Sequence, residues 1–187
     1  MRNAEKLLTQ YAAYHRDQRN VATHFVGVPI IVFSVVLALA QIPAGSLHLG
    51  WLVIAAAAIY YLWLDRALGL ATFGFLIFCG VVASLISAKT SVPVAMGLAA
   101  ALFIGGWIIQ FIGHKYEGVK PAFVDDLTGL AIGPLFVTAE LFFLFGCKPD
   151  LRRYIEDRVG ATMPARDGRP IGPADRDHAA DSANFAP

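Results

Sequence analysis

The chain has 187 residues, of which 57% are hydrophobic and 16% are charged, and its mean hydropathy is +0.58. A soluble domain carries about 25% charged residues, and a chain this short has no interior large enough to hide so much apolar surface, which argues against a soluble fold. The net charge of +1 offers no basic surface, so we expect no nucleic-acid partner. The composition indicates a protein whose solvent is the lipid bilayer.

The first segment, residues 4–17, is predicted to form a short amphipathic helix. Leu8, Tyr11 and His15 recur at helical spacing and share one face, which turns His15 toward the apolar side. Such a helix lies on the membrane surface or caps a helical bundle. The segment lacks the apolar region of a signal peptide, so we expect the later segments to direct insertion.

Five apolar stretches follow, each close to the length of about 20 residues that crosses the hydrocarbon region of a bilayer. They are residues 25–42, 47–64, 67–88, 92–113 and 127–146. Short gaps between the first four force neighbouring spans into antiparallel pairs. We therefore predict an all-α, polytopic membrane bundle with four to five apolar segments and an N-terminal amphipathic helix.

Lys and Arg residues predict the orientation. The first 24 residues contain four of them and the loop 41–46 contains none, which places the N-terminus in the cytoplasm. Four spans then return the chain to the same side. His15 and His24 precede the first span and His114 follows the fourth, so all three are expected at one membrane face.

The fifth stretch differs because it contains Pro134 and Glu140. A charge at the bilayer centre costs roughly 3 kcal/mol or more, and a full crossing would place the basic residues after Cys147 outside. We therefore predict a re-entrant or bundle-buried segment. Residues 1–148 are assigned to the membrane domain and 149–187 to a polar, largely disordered cytoplasmic tail.

The three histidines are candidate metal ligands. His15 and His24 are nine residues apart, so one straight helix cannot aim both at a single point. A break between them can, with Asn20 or Thr23 as the N-cap of the next helix. Taken alone, His15 is more simply an interfacial residue whose ring is satisfied by water or a backbone carbonyl, and His24 a helix-start residue at the level of the lipid headgroups.

Two carboxylates accompany the histidines. Glu117 is three residues after His114 and shares its helical face, where it either coordinates a metal or orients a ligand, unless this is an ordinary polar helix end. Glu140 is either a functional carboxylate or a neutral acid hydrogen-bonded to a neighbouring helix. Imidazole suits iron, zinc, copper and nickel, and histidines with a carboxylate are typical of non-haem iron oxygenases.

Three motifs occur in a fixed order: His15…Asn20…His24-x-x-Gly27-Val28-Pro29, then Gln110-Phe111-Ile112-Gly113-His114-x-x-Glu117-Gly118-x-x-Pro121-Ala122, and Gly133-Pro134-Leu135-Phe136-x-x-x-Glu140. Together they resemble, over residues 5–147, the 2-hydroxy fatty acid dioxygenase family known from yeast phytosphingosine breakdown, which has many bacterial relatives. The resemblance implies a small multi-span enzyme with Fe(2+) as cofactor. The implied reaction is α-oxidation, in which a long-chain 2-hydroxy fatty acid and O2 give CO2 and the fatty acid one carbon shorter.

The resemblance also implies the site residues. His15, His24 and His114 would bind the iron, and Glu117 and Glu140 would belong to the catalytic site. The candidates for holding the substrate are Arg16, Arg19, Asn20, Lys115 and Tyr116. An arginine offers the better fork for a carboxylate, and the apolar helices offer a lipid-like environment for the alkyl chain.

Other classes of function remain open at this point. The alternatives are a non-catalytic membrane scaffold or small proton-linked transporter that uses Glu140, and a zinc-dependent lipid hydrolase with the same histidines. Spans nearly bare of polar groups speak against transport. We expect a bacterial inner membrane with the site at its cytoplasmic face, or the endoplasmic reticulum in a eukaryote. The oligomeric state is left open, a homo-oligomer included.

Overall fold

The computed structural model describes residues 3–118 and 128–163, and this part of the chain is helical almost throughout. Its elements, in chain order, are α1 (Asn3–Ala12), α2 (Gln18–Leu39), β1 (Pro43–Ala44), β2 (Leu47–His48), α3 (Leu49–Leu64), α4 (Arg66–Lys89), α5 (Val92–Glu117), α6 (Thr128–Leu144) and α7 (Pro149–Val159). The two short strands pair antiparallel, with Pro43 opposite His48. The predicted all-α fold class is confirmed.

The apolar helices agree with a membrane protein. By length and composition, α2, α4 and α5 are able to cross a bilayer, and a fourth span results if α6 and α7 are counted as one bent pair. α3 is apolar but has 16 residues, which is short for a span. Ile59, Leu70 and Ile104 are 71%, 61% and 60% exposed, as expected for side chains that face lipid rather than water.

Residues 26–108 form one of two compact units, and the α3–α4 hairpin lies in it. Asp65 alone links the two helices, so they must run antiparallel. Its carboxylate accepts hydrogen bonds from the backbone N–H groups of Ala67 and Leu68, both at 3.0 Å. Asp65 is therefore the N-cap of α4, which explains why the chain turns at this charged residue rather than continuing as one long helix.

Gly69 marks the closest approach of α4 to α3. A Cβ atom at this position would lie 2.6 Å from both the carbonyl carbon and the carbonyl oxygen of Tyr61, which are backbone atoms and cannot turn aside. Gly74 lies on the same helix, and a Cβ there would have nothing within 4 Å. A small residue at Gly69 is what allows the backbones to pack so closely.

The second unit contains residues 1–25 and 109–187, of which the structure describes 3–25, 109–118 and 128–163. In it α1 packs against both α6 and α7. Leu8 of α1, Leu135 of α6 and Ile155 of α7 are all buried and supply apolar core. This packing is the frame that carries the candidate site.

α7 is a helix that the sequence pattern did not indicate, because residues 149–187 read as a polar tail. Pro149 starts it and Gly160 ends it with a φ of 80°, the usual residue types at these two positions. Ile155 and Val159 are buried, so residues 149–159 are helical rather than disordered. The disorder expected from residue 165 lies outside the described residues.

The segment predicted to be re-entrant or bundle-buried forms α6, which bends by 112° into α7. A bend of this size is the geometry of a broken span or of a re-entrant loop. α6 contains Pro134 within it and has 17 residues. The segment therefore does not continue as one straight helix beyond Leu144.

The close contact at Gly69 gives a matched pair of stability predictions. We expect Gly69→Ala to lower the free energy of unfolding by about 1–3 kcal/mol, because the added methyl forces α3 and α4 apart. Gly74→Ala should be neutral or stabilise by up to about 1 kcal/mol, since alanine has the higher helix propensity and open space. Thermal unfolding of both variants in one detergent checks this, and equal midpoints would contradict the close packing.

Candidate metal centre

Three histidines meet inside the second unit. One nitrogen from each of His15, His24 and His114 lies within 4.8 Å of the others. The ring centroids are 4.3 Å apart for His15 and His24, 5.0 Å for His15 and His114, and 5.3 Å for His24 and His114. All three are buried, with exposures of 0%, 2% and 7%. This is the convergence that the sequence predicted.

A break between two helices makes the convergence possible. α1 ends at Ala12, not at residue 17 as predicted, and His15 lies in the turn that follows, where its backbone N–H donates to the carbonyl of Ala12 at 3.0 Å. The predicted break is confirmed, but its N-cap is Asp17 rather than Asn20 or Thr23. Asp17 Oδ1 accepts from the N–H of Arg19 at 2.8 Å, so α2 begins at Gln18.

Backbone carbonyls fix the ring orientation of two histidines. His15 Nδ1 lies 2.6 Å from the carbonyl oxygen of Tyr11, and His24 Nδ1 lies 2.9 Å from that of Asn20. A carbonyl oxygen only accepts, so each Nδ1 must carry the proton and donate it. Each neutral ring then presents Nε2 as an unprotonated lone pair, which is the usual arrangement of a metal-binding histidine.

The two Nε2 atoms face each other at 3.0 Å. With both protons on Nδ1, neither Nε2 is able to donate, so two lone pairs meet in a buried space. Such a pair needs an electron-pair acceptor between its members. A proton is a poor acceptor for this position, because the pKa of His15 lies well below its usual range. Burial lowers this pKa most, and the neighbouring His24 and His114 lower it further. A metal ion fits the donor set of neutral imidazoles.

Two aromatic side chains pack against the ring of His15. The ring of Tyr11 stacks on it with a centroid distance of 4.2 Å and an angle of 4°, and the ring of Phe136 lies 5.3 Å away. Phe136 is 1% exposed. The sequence pattern placed Tyr11 on the face of His15, but it gave no sign that Phe136 of α6 would reach the same ring.

Glu117 holds the turn that carries His15. Its Oε1 accepts from the backbone N–H of Arg16 at 2.9 Å, and its Oε2 accepts from the backbone N–H of Asp17 at 2.8 Å and from Asn20 Nδ2 at 3.0 Å. Both carboxylate oxygens are thus engaged with the chain. The interpretation of Glu117 as an orienting group is favoured, although it orients the backbone beside His15 rather than a histidine ring.

Gly113 permits the close approach of α5 to the start of α2. A Cβ atom at this position would collide with Thr23 Oγ1 and with Asn20 Oδ1. Glycine is therefore required directly before His114, where the two chain segments touch. Its place in the sequence motif was visible, but this steric reason was not.

Comparison with known proteins identifies relatives of this chain. A family model described as 2-hydroxy-palmitic acid dioxygenase Mpo1-like matches residues 1–144. The chain is also 31% identical over 149 residues to the 2-hydroxy-palmitic acid dioxygenase MPO1 of Saccharomyces cerevisiae, which covers 78% of this chain and 83% of the yeast protein. The chain belongs to the Mpo1-like family. No solved structure matches it.

Membership of the Mpo1-like family confirms the resemblance drawn from the motifs, and with it a family of 2-hydroxy fatty acid dioxygenases. The three histidines all lie within the matched residues. Of the remaining histidines, His48 belongs to the other unit, where its Nε2 lies 2.9 Å from Ser84 Oγ, and His178 lies outside the described residues.

The residues predicted to hold the substrate of this Mpo1-like chain have varied surroundings. Arg19 pairs with Asp17 at 2.7 Å, and its guanidinium lies 4.5 Å from the ring centre of Tyr116. Asn20 is bound to Glu117, and Lys115 is exposed. Arg16 is buried, so it is the one of these five that is both cationic and enclosed.

Glu140 lies near Arg16 rather than in the histidine cluster. Its Oε1 is 3.9 Å from Arg16 Nη2, and its side chain is 16% exposed. Within the described residues, the group of possible metal ligands contains the three histidines and neither Glu117 nor Glu140. Glu117 and Glu140 thus lie outside the group of histidines, and each is engaged with another part of the unit.

The bonds of Glu117 yield a prediction about metal retention. We expect Glu117→Ala to weaken metal binding by about 10–100-fold, because an outer group that positions a ligand is lost. It should also lower the free energy of unfolding by about 3 kcal/mol, since buried N–H donors lose their acceptor. Metal titration and thermal unfolding check this. Lys115→Ala, exposed and two residues away, is the control and should change neither quantity.

Proposed function

We propose that this protein is a non-haem, Fe(2+)-dependent dioxygenase that performs α-oxidation of long-chain 2-hydroxy fatty acids. One 2-hydroxy acid and one O2 give one fatty acid shorter by a carbon, one CO2 and one water, which balances the atoms. The substrate is oxidised by four electrons and O2 is reduced by four. The observation that carries the proposal is the pair of Nε2 lone pairs that face each other inside the histidine cluster.

The donor set supports iron. His15, His24 and His114 supply three neutral nitrogens, and three protein ligands leave positions on a metal for a substrate and for O2. A 2-hydroxy acid chelates through its hydroxyl and one carboxylate oxygen. Bound iron would supply the activation of O2 and the polarisation of the substrate that cleavage of the bond between C1 and C2 requires.

The protein's own residues supply the setting. Tyr11 and Phe136 cover His15 and exclude water from that side of the cluster. The backbone carbonyls of Tyr11 and Asn20 hold the protons on Nδ1, so that Nε2 stays free to bind. Glu117 is assigned a positioning role through the turn at Arg16 and Asp17.

We place the enzyme in a bilayer, with its site at the membrane surface that the N-terminus faces. The apolar helices provide a lipid-like environment for the alkyl chain. A long-chain acid would reach the protein from the membrane in which it is dissolved. Following the distribution of Lys and Arg, that surface is cytoplasmic, in a bacterial inner membrane. Arg16 is the residue proposed to meet the substrate's carboxylate, since arginine offers a directed pair of donors.

Substitution of the histidines tests the proposal. We expect His15→Ala, His24→Ala and His114→Ala each to lower bound iron from about one per chain to a small fraction, and to reduce O2 consumption with 2-hydroxypalmitate by at least about 100-fold. His48→Ala is the matched control, because His48 lies in the other unit, and it should retain both. Iron content and product analysis by mass spectrometry provide the measurements.

Removal and return of the metal separates this function from the alternatives. A chelator should abolish turnover, Fe(2+) should restore it, and anaerobic conditions should stop it. Full turnover of 2-hydroxypalmitate without iron or without O2 would refute the proposal. Ester hydrolysis restored by zinc would instead identify a hydrolase.

A further inference from the structure

A pocket of about 340 Å³ lies beside the histidine cluster, within the unit of residues 1–25 and 109–187. One side is apolar and includes Val21 and Phe25 of α2, Phe143 of α6 and Ile155 of α7. Four charged side chains also line the pocket, and these are Arg16, Glu140, Arg152 and Glu156. None of the three clustered histidines lines it. Its volume is within the range of small-molecule sites.

The Arg16 guanidinium has one donor group to spare. Its Nε donates to the carbonyl oxygens of Ala12 at 2.8 Å and His15 at 3.0 Å, and its Nη1 donates to that of Gly160 at 2.7 Å. Nη2 is buried and has no hydrogen-bond acceptor among the described residues. Glu140 Oε1, at 3.9 Å, is too far for a hydrogen bond. A buried cationic donor without an acceptor is available to bind an acceptor atom of a ligand.

The other two charged side chains of the pocket pair with each other, with Arg152 Nε and Glu156 Oε1 2.7 Å apart. The buried groups that we assign to ligand recognition are the donor of Arg16 and the carboxylate of Glu140. A plain carboxylate would suit the first and be repelled by the second. A ligand that carries an acceptor and a neighbouring hydroxyl donor suits both.

We propose that this pocket binds the head group of a 2-hydroxy fatty acid independently of the metal and so recruits the substrate next to the metal centre. The substrate carboxylate accepts a hydrogen bond from Arg16 Nη2. The 2-hydroxyl donates to the Glu140 carboxylate, and the first methylenes lie on Phe25, Phe143 and Ile155. This inference rests on the proposed function and deepens it, because it assigns the residues that select a 2-hydroxy acid over a plain fatty acid.

Two residues that line the pocket adjoin histidines of the cluster in the sequence. Arg16 directly follows His15, and Phe25 directly follows His24. Glu140 lies one helical turn after Phe136, whose ring contacts His15. We therefore expect a head group held in the pocket to lie close to the histidine cluster and to keep its carboxylate paired until it transfers.

Binding of labelled acids to the metal-free full chain tests the pocket. In chelator-treated protein in lipid nanodiscs, we expect saturable binding of 2-hydroxypalmitate about tenfold tighter than that of palmitate, as one hydrogen bond to a charged group is worth that factor. Glu140→Leu should remove the preference, and Glu140→Gln, which keeps an acceptor, should retain most of it. Ala22→Trp should fill the pocket and weaken binding at least about tenfold.

Two controls make the result decisive. Ala55→Trp adds the same side chain to α3, outside the pocket, and should bind as the unmodified chain does. His114→Ala should also bind within about twofold, because the histidines do not line the pocket. Unchanged affinity in Ala22→Trp, or binding abolished in His114→Ala, would overturn the inference.

The outcome is separable from that of the proposed function. If the protein consumes O2 with 2-hydroxypalmitate but shows no metal-independent binding, the proposed function stands and the pocket proposal is refuted. If it binds 2-hydroxypalmitate in the pocket but never consumes O2 with iron present, the binding site stands and the dioxygenase assignment is refuted.

Discussion

The facing Nε2 atoms of His15 and His24 are the constraint on which the site depends. Two backbone carbonyls hold the ring protons on the far nitrogens, so the near nitrogens meet as lone pairs at 3.0 Å. Folding brings them together in a buried space, and that placement is unfavourable unless something electrophilic lies between them. The apolar surroundings that lower the pKa of His15 also keep the ring in the neutral form that binds metal. The arrangement that orients the two rings is thus the same one that suits them to bind a metal ion.

Glu117 explains how chain segments about 100 residues apart in sequence hold this geometry. The carboxylate lies one turn after His114 and binds the backbone that immediately follows His15, so a single side chain links two of the histidines. Its third bond comes from Asn20, which lies one turn before His24 and whose carbonyl orients that ring. All three histidines are therefore connected through Glu117 and its partners, which gives this buried acidic residue a structural reason.

The sequence was informative where a residue acts through its own type or spacing. Hydropathy predicted the helices, and span parity with the nine-residue spacing predicted that His15, His24 and His114 meet across a helix break. Asp17 as N-cap was missed, because several polar residues in that stretch are acceptable caps and only tertiary contacts select one. α7 was missed since its polar residues resemble a tail, and only packing of Ile155 and Val159 reveals its buried face. Two of the donors to Glu117 are the backbone N–H groups of Arg16 and Asp17, which no side-chain pattern displays.

The segment after residue 144 lies beyond the family match, yet it takes part in the site of this chain. The carbonyl of Gly160 accepts from Arg16 Nη1. The N–H of Met163 donates to the carbonyl of Arg16 at 2.8 Å, and the carbonyl of Met163 accepts from the N–H of Gln18 at 3.0 Å. These bonds leave Arg16 with Nη2 as its remaining donor and aim the guanidinium toward Glu140. The matched residues include the three histidines, whereas the orientation of Arg16 beside them depends on residues after 144. Under the proposal, selection of the acid's head group would therefore be a property of the whole unit rather than of the matched motifs alone.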